Sequence, residues 1–320
     1  MSRPRILVPG KVNPSILERL PEMFETVLIE RADPALVTAD MADVAGIAVS
    51  GRLPSELMDR FPQLEIIANF GVGYDGVDVD RAAARGIVVT NTPDVLNEEV
   101  ADTAIGLLIN TVRLLPQAEQ WLRQGQWARD GNFQLSPLSL RGRKVGLYGL
   151  GRIGLAIARR IEAFGLPIAY HTRTRREDLA FPYYPSLVSL AEAVDTLIVI
   201  VPGTPSTAKA VNAEVLSALG PKGVVINVGR GSTVDEGALV AALQNGTIAG
   251  AGLDVFENEP HVPEALIALP NVSLLPHVAS ASVVTRGAMA DLVVDNLKAW
   301  FTHGRALTPV AETPFERNIR

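Results

Sequence analysis

The sequence predicts an α/β fold in which helices cover parallel sheets. Short apolar runs alternate with stretches of helical spacing, and this alternation occurs in two successive series along the 320 residues. With 48% hydrophobic and 20% charged residues the chain can bury a large core, and its length fits two domains of ordinary size. We therefore expect two α/β modules.

The first module is predicted to have one strand at each of five apolar runs. These runs are RILVPG, TVLIE, GIAVS, EIIANF and GIVVT. The stretches between them, such as SILERL, PSELMDRF and VDRAAARG, have the spacing of short helices.

The second module begins near residue 144 and is longer. Its predicted strands are KVGLYGLG, PIAYHTR, TLIVIVPG, GVVINVG, GAGLDVF and VSLLP. Helical stretches such as RIGLAIARRIEAFG and DEGALVAALQNG lie between them.

Two long helical patterns connect the modules. They cover residues 98–127 and 282–301, and the second is followed by a tail that we expect to return to the first module. We therefore place a discontinuous first domain at residues 1–98 and 288–320, and the second domain at residues 99–287.

Composition excludes several classes of function. The net charge of −6 provides no general attraction to nucleic acid or anionic lipid. Without cysteine the chain has no disulfides, no thiolate metal sites and no cysteine nucleophile, and we expect no metal. No apolar run approaches the length of a membrane span or of a signal core, so we expect a cytoplasmic protein. Together with the negative net charge, this predicts neither a membrane nor a nucleic acid as partner.

The strongest local motif is the glycine pattern in VGLYGLGRIG. Gly149, Gly151 and Gly154 form G-x-G-x-x-G directly after an apolar strand and directly before an amphipathic helix. In this context the first glycine permits a tight turn, the second lets a pyrophosphate approach, and the third lets helix and strand pack closely. A plain glycine turn is the alternative, but the order of strand, motif, helix and strand favours a dinucleotide site.

The end of the next strand indicates which dinucleotide binds. Enzymes that use NAD place an acid about 20 residues after the motif, where it binds the ribose 2′-hydroxyl. Here the sequence is Thr172, Arg173, Thr174. Arg173 can pair bidentately with a 2′-phosphate, and Thr174 and Arg175 could add donors, so NADP is preferred over NAD. A solvated basic loop is the alternative.

Five ordered motifs resemble the D-isomer-specific 2-hydroxyacid dehydrogenases. They are GVGYDGVDVDRAAARGIVVTNTPDVLNEEVADTAIGLLI, GLGRIG, INVGRGSTVDEGALVAAL, AGLDVFENEP and LLPHVASAS. The likeness is greatest to the branch of glyoxylate/hydroxypyruvate reductases, which includes hydroxyphenylpyruvate reductases. It implies two Rossmann-like domains with the active site in the cleft between them, a homodimer built mainly through the cofactor domains, and NADPH-dependent reduction of a small 2-keto acid.

The resemblance also implies the catalytic residues. His277 matches the family's proton donor, and Arg230 matches the arginine that binds the substrate carboxylate and polarises the keto oxygen. Glu259 rather than Glu257 matches the carboxylate that pairs with the histidine, because it directly precedes the proline. A core histidine and an arginine that merely caps a turn are the structural alternatives for His277 and Arg230.

The remaining site residues rest mainly on the same resemblance. Backbone N–H groups of Val72 and Gly73 are expected to hold the substrate carboxylate, although a bare tight turn would look the same. Asp254 matches a contact with the nicotinamide carboxamide, with a turn or capping role as the alternative. The full set expected at the cofactor is Gly149, Leu150, Gly151, Arg152, Ile153, Gly154, Thr172, Arg173, Thr174, Val201, Pro202, Val228, Gly229 and Asp254.

A function of another class remains open at this point. The same scaffold serves co-repressors, which bind dinucleotide and present a surface to peptide partners, and these can retain the catalytic residues. The chain lacks a long tail and has the basic strand end, which favours the reductase. Formate oxidation is remote, because that branch generally has glutamine where Glu259 stands.

Overall fold

The eleven apolar runs predicted as strands all contain strands in the computed structural model, which describes residues 3–317. The strands are β1 (Arg5–Pro9), β2 (Glu25–Ile29), β3 (Val44–Val49), β4 (Ile66–Asn69), β5 (Val88–Thr90), β6 (Val145–Tyr148), β7 (Ile168–His171), β8 (Thr196–Val199), β9 (Val224–Asn227), β10 (Gly250–Leu253) and β11 (Val272–Leu274).

The α-helices alternate with these strands, as parallel pairing requires. They are α1 (Pro14–Arg19), α2 (Ser55–Asp59), α3 (Val79–Ala84), α4 (Asn97–Arg113), α5 (Leu115–Arg123), α6 (Gln126–Asp130), α7 (Arg152–Ala163), α8 (Leu187–Ala193), α9 (Ala213–Leu219), α10 (Glu236–Gln244), α11 (Glu264–Ile267) and α12 (Val283–His303).

The chain divides into two units. The first contains Met1–Leu96 and Ser282–Arg320, and the second contains Asn97–Ala281. The sequence placed the boundaries at residues 98 and 288. The position 288 falls inside α12, whereas Ser282 is the N-cap of that helix and accepts a hydrogen bond from the Thr285 N–H at 3.1 Å.

The first unit is built on a five-stranded sheet in the order β2-β1-β3-β4-β5, in which all pairs are parallel. Because its strands are buried on both faces, successive residues of β1 pack into different layers. Leu7 joins the buried cluster that includes Leu57 and Phe61, while Ile6 and Leu297 of α12 both lie next to Gly46.

The second unit contains a six-stranded parallel sheet in the order β11-β10-β9-β8-β6-β7. The strand order reverses between β6 and β8, and open α/β sheets bind ligands at such a switch point, outside the carboxyl ends of the strands. Helix α4 packs against α7 and against β10. Gly252 permits the second contact, since a Cβ there would stand 2.7 Å from the Thr111 hydroxyl.

The first long helical pattern is not one helix. Helix α4 ends at Arg113, Leu114 adopts a left-handed φ of 54°, and α5 begins at the next residue. Pro116 is the cause, because it has no N–H and its ring would collide with the carbonyl one turn earlier. Both α4 and α12 begin at a unit boundary, and each belongs to a single unit.

Candidate active site

The site residues predicted in the second unit all follow the carboxyl ends of its strands. They come after β6 (Gly149–Gly154), β7 (Thr172–Thr174), β8 (Val201, Pro202), β9 (Val228–Arg230), β10 (Asp254, Glu259) and β11 (His277). Because all six strands are parallel, these segments lie along one edge of the sheet, at the side where such sheets bind ligands.

The glycine motif forms the turn between β6 and α7. Gly149 has a φ of 101°, and a Cβ on it would stand 2.7 Å from the Ile200 carbonyl oxygen beyond β8. A Cβ on Gly154 would stand 2.7 Å from the Gly149 carbonyl oxygen, whereas a Cβ on Gly151 would meet no atom within 4 Å. The open side of Gly151, at the N-terminus of a helix of 12 residues, fits an approaching phosphate.

Two of the three arginines in the basic loop after β7 carry acidic partners. Arg175 pairs with Glu177 at 3.4 Å, and Arg176 pairs with Asp178 at 2.6 Å. Arg173 is exposed and has no ionic partner in residues 3–317. The loop therefore presents Arg173 as its available cation.

The backbone of Arg230 is held by polar side chains that the sequence analysis missed. Its carbonyl oxygen accepts hydrogen bonds from Asn227 Nδ2 at 2.9 Å and from the Thr233 hydroxyl at 2.6 Å. Asn227 Oδ1 also accepts from the Gly229 N–H at 3.0 Å. Asn227 and Thr233 are buried, so the turn that carries the guanidinium is held from the interior of the unit.

The turn of Arg230 is pressed against the segment that carries Glu259. A Cβ on Gly231 would stand only 1.9 Å from the Phe256 carbonyl carbon, so no other residue fits without displacing this backbone. The buried Glu236 carboxylate adds a second link by accepting the Glu257 N–H at 2.6 Å. Burial raises the pKa of Glu236.

Glu259 contacts His277 directly. Its Oε2 lies 2.7 Å from His277 Nδ1, and its Oε1 accepts the Phe256 N–H at 3.0 Å. Glu257 instead pairs with Lys209 at 3.2 Å. Because a carboxylate only accepts hydrogen bonds, Nδ1 carries a proton and Nε2 is the nitrogen that can give or take one.

The backbone around His277 is strained and is held by Asp254. His277 has a φ of 54°, a left-handed conformation that few residues with a Cβ adopt. Its N–H donates to the Asp254 carbonyl at 2.8 Å, while the Asp254 carboxylate accepts the N–H groups of Val278 at 2.7 Å and Ala279 at 2.9 Å. Burial raises the pKa of Asp254 although both N–H donors favour its charged form.

In the first unit, the loop after β4 carries the two predicted carboxylate-binding residues. Asn69 Nδ2 donates to the carbonyls of Gly71 at 3.2 Å and Gly73 at 3.0 Å, and Asn91 Nδ2 donates to the Val72 carbonyl at 2.9 Å. These bonds hold the carbonyls of the loop, and the N–H groups of Val72 and Gly73 stay a predicted binding site for the substrate carboxylate.

The other three histidines lie outside this arrangement. His171 Nδ1 bonds the Tyr184 carbonyl at 2.8 Å, His261 is exposed in the loop before α11, and His303 ends α12. Within residues 3–317, no helix is long and apolar enough to cross a membrane, and no cluster of His, Asp and Glu could hold a metal ion.

Comparison with known proteins identifies the family. Residues 105–279 match the D-isomer specific 2-hydroxyacid dehydrogenase NAD binding domain. A glyoxylate/hydroxypyruvate reductase A from Arabidopsis thaliana is 51% identical over 267 residues, which are 83% of this chain and 84% of the relative. The chain belongs to the D-isomer specific 2-hydroxyacid dehydrogenase family.

Two further relatives of this dehydrogenase are informative. Hydroxyphenylpyruvate reductase from Plectranthus scutellarioides is 50% identical over 86% of this chain and 87% of its own length. The crystal structure of the NADPH-dependent glyoxylate/hydroxypyruvate reductase from Sinorhizobium meliloti, in complex with NADP and malonate, is 83% identical over 100% of both chains, with a TM-score of 0.98.

Proposed function

We propose that this dehydrogenase reduces a small 2-keto acid of the glyoxylate or hydroxypyruvate type to the D-2-hydroxy acid with NADPH. The observation that carries the proposal is the 83% identity, over both whole chains, to an NADPH-dependent glyoxylate/hydroxypyruvate reductase. His277, whose Nδ1 lies 2.7 Å from Glu259, provides the acid that this chemistry needs. Arg230, on the neighbouring turn, provides the group that binds the substrate anion.

The nicotinamide of bound NADPH supplies the hydride, and the protein supplies the proton and the groups that bind the substrate. His277 gives the proton on Nε2 to the carbonyl oxygen, while Glu259 stabilises the charge of the imidazolium from the other side of the ring. Arg230 binds the substrate carboxylate with its planar fork and polarises the keto oxygen. The N–H groups of Val72 and Gly73 bind the same carboxylate.

The proposed cofactor contacts follow the strand ends. The turn Gly149–Gly154 binds the pyrophosphate at the N-terminus of α7, and Thr172, Arg173 and Thr174 bind the 2′-phosphate. The nicotinamide contacts the segments after β8 to β10, with residues Val201, Pro202, Val228, Gly229 and Asp254.

Replacing Thr172 by Asp and Arg173 by Ala should reverse the cofactor preference. The double variant removes the available cation and puts a carboxylate where it repels a 2′-phosphate but accepts from a ribose hydroxyl. We expect the ratio of kcat/KM with NADPH to kcat/KM with NADH to fall about 100-fold. Arg175→Ala should have a smaller effect because Arg175 is paired with Glu177. An unchanged ratio in the double variant would exclude Arg173 as the phosphate ligand.

Glu259→Gln should lower the rate of reduction. Glutamine keeps the shape of the side chain but lacks the negative charge that stabilises protonated His277 across the 2.7 Å contact. We expect kcat/KM to fall about 10-fold or more while the Kd of NADP⁺ is unchanged. Steady-state kinetics and equilibrium binding of both proteins measure this, and an unchanged kcat/KM would remove Glu259 from the pair.

Asp254→Asn should slow turnover more than it weakens cofactor binding. An amide has one acceptor oxygen, so the N–H of Val278 or Ala279 loses its partner and the strained conformation of His277 relaxes. We expect kcat to fall about 10-fold or more while the Kd of 2′,5′-ADP, which lacks nicotinamide, is unchanged. If the Kd of NADP⁺ rises while that of 2′,5′-ADP does not, Asp254 contacts the nicotinamide carboxamide. An unchanged kcat would contradict the role of Asp254 in holding His277.

Assays of glyoxylate, hydroxypyruvate, pyruvate and hydroxyphenylpyruvate with NADPH test the proposed function. We expect the highest kcat/KM with glyoxylate or hydroxypyruvate. Hydroxyphenylpyruvate is included because it is named for one relative at 50% identity. Tight dinucleotide binding without turnover of any of these acids would restore the co-repressor alternative, which no relative reported above supports.

We further propose that the protein is a homodimer, as the family resemblance implies, and that it is located in the cytoplasm. Light scattering of the purified chain should give twice its mass of 34.2 kDa. A monomer at micromolar concentration would contradict the dimer.

A further inference from the structure

Hydrogen bonds of Arg176 hold the basic loop after β7 against the rest of the second unit. Two of these bonds are made by Tyr170, whose hydroxyl accepts the Arg176 N–H at 2.9 Å and donates to the Arg176 carbonyl at 3.2 Å. Tyr170 is completely buried in β7, and its own backbone N–H and carbonyl bond Pro182 and Tyr184 at 2.9 Å each. The Tyr170 hydroxyl is therefore held in a fixed position by the buried strand.

The side chain of Arg176 makes further contacts in two directions. Its Nη1 donates to the Leu150 carbonyl at 3.0 Å, in the middle of the glycine turn. Its Nε and Nη2 donate to the two oxygens of Asp178 at 2.8 and 2.6 Å. The guanidinium thus links the loop after β6 to the loop after β7, the two segments proposed to bind the pyrophosphate and the 2′-phosphate.

The residues between the end of β7 and Arg176 have few constraints of their own. The Thr172 hydroxyl donates to the Thr174 carbonyl at 2.7 Å, which closes a local turn, and Arg173 and Thr174 are exposed. A short loop with both ends fixed loses little further entropy when its tip binds a ligand. The position of Arg173 therefore depends on how firmly residue 176 is held.

We propose that Tyr170 and Arg176 are positioning residues for cofactor choice, which fix the loop so that Arg173 and Thr174 face the 2′-phosphate. They act through the loop and need not touch the cofactor. This inference rests on the use of NADPH proposed above. It predicts an effect on NADP⁺ that NAD⁺ does not share, because only NADP⁺ carries the phosphate.

Two variants that preserve charge test the proposal. Tyr170→Phe removes only the hydroxyl. Arg176→Lys keeps the positive charge, but a single ammonium cannot reach both the Leu150 carbonyl and the two Asp178 oxygens. Tyr184→Phe is the matched control, since Tyr184 bonds β7 through its backbone and its hydroxyl makes no hydrogen bond within the described residues.

The measurement is the Kd of NADP⁺ and of NAD⁺ for each full-length variant. We expect Kd for NADP⁺ to rise about 5-fold in Tyr170→Phe and in Arg176→Lys, with Kd for NAD⁺ unchanged, and both constants unchanged in Tyr184→Phe. If Tyr170→Phe does not fold, the partly exposed Arg176 still gives the answer.

The outcomes separate this inference from the proposed function. If the wild type prefers NADP⁺ and Arg173→Ala removes the preference, but neither charge-preserving variant lowers it, Tyr170 and Arg176 are structural residues only. Equal weakening of both cofactors would lead to the same conclusion. If the wild type has no preference for NADP⁺, the assignment of the cofactor is wrong and the positioning role is lost with it.

Discussion

His277→Ala should lower kcat/KM by about 1,000-fold in both directions, because a positioned acid contributes this order of magnitude to a step that needs a proton. In reduction the variant has no group to protonate the new alkoxide, and in oxidation it has none to accept the hydroxyl proton. Binding of NADP⁺ should be unchanged, since the glycine turn and Arg173 are intact. Steady-state kinetics and equilibrium binding on the same preparation provide both measurements.

A double-variant cycle makes this prediction sharper. If His277 and Glu259 act as one unit, adding Glu259→Gln to His277→Ala should have little further effect, although Glu259→Gln alone is harmful. His261→Ala is the matched control, because His261 lies exposed in a loop and its side chain takes no part in the site. Additive effects of the two changes would mean that the 2.7 Å contact does not couple them in catalysis.

Arg230→Ala should lower kcat/KM by about 100-fold or more, equivalent to about 3 kcal/mol of transition-state stabilisation. The lost interaction is the charged, bidentate contact with the carboxylate and the polarised keto oxygen. The Kd of NADP⁺ should change little, since Asn227 and Thr233 still hold the backbone of the turn when the guanidinium and its hydrogen bond to the Gly229 carbonyl are removed.

Arg230→Lys separates the two parts of this role. Lysine keeps the charge but not the fork, so its kcat/KM should fall between those of the wild type and Arg230→Ala. Guanidinium added to the medium should partly restore Arg230→Ala and not Arg230→Lys. Near-normal kcat/KM of Arg230→Ala with glyoxylate and hydroxypyruvate would remove the residue from the mechanism.

The fold was predictable because parallel strands that are buried on both faces consist of short runs of apolar residues. All eleven runs contain strands, and the glycine motif lies between β6 and α7. The first long helix was predicted less well. The apolar spacing continues past Arg113, but Pro116 and the left-handed Leu114 end α4 there.

The supporting residues of the site were harder to predict. Four of them form hydrogen bonds to backbone groups that are distant in the sequence or lie within turns, namely Asn227, Glu236, Tyr170 and Asn69. Such bonds leave no periodic pattern in the sequence. The only available signal was position, since Asn69 and Asn227 are polar residues at the ends of buried strands. Polar groups buried at such ends need partners, and these partners are the turns that carry the site.

The close packing at Gly231 limits how an enzyme of this kind can be altered by mutation. In a library randomised at position 231, only glycine should survive selection, because any β-carbon would meet the Phe256 backbone at 1.9 Å. The backbones of the segments that carry Arg230 and Glu259 can therefore change position only together. Exposed positions of the first unit, such as Ser50 and Arg52, are not subject to this constraint.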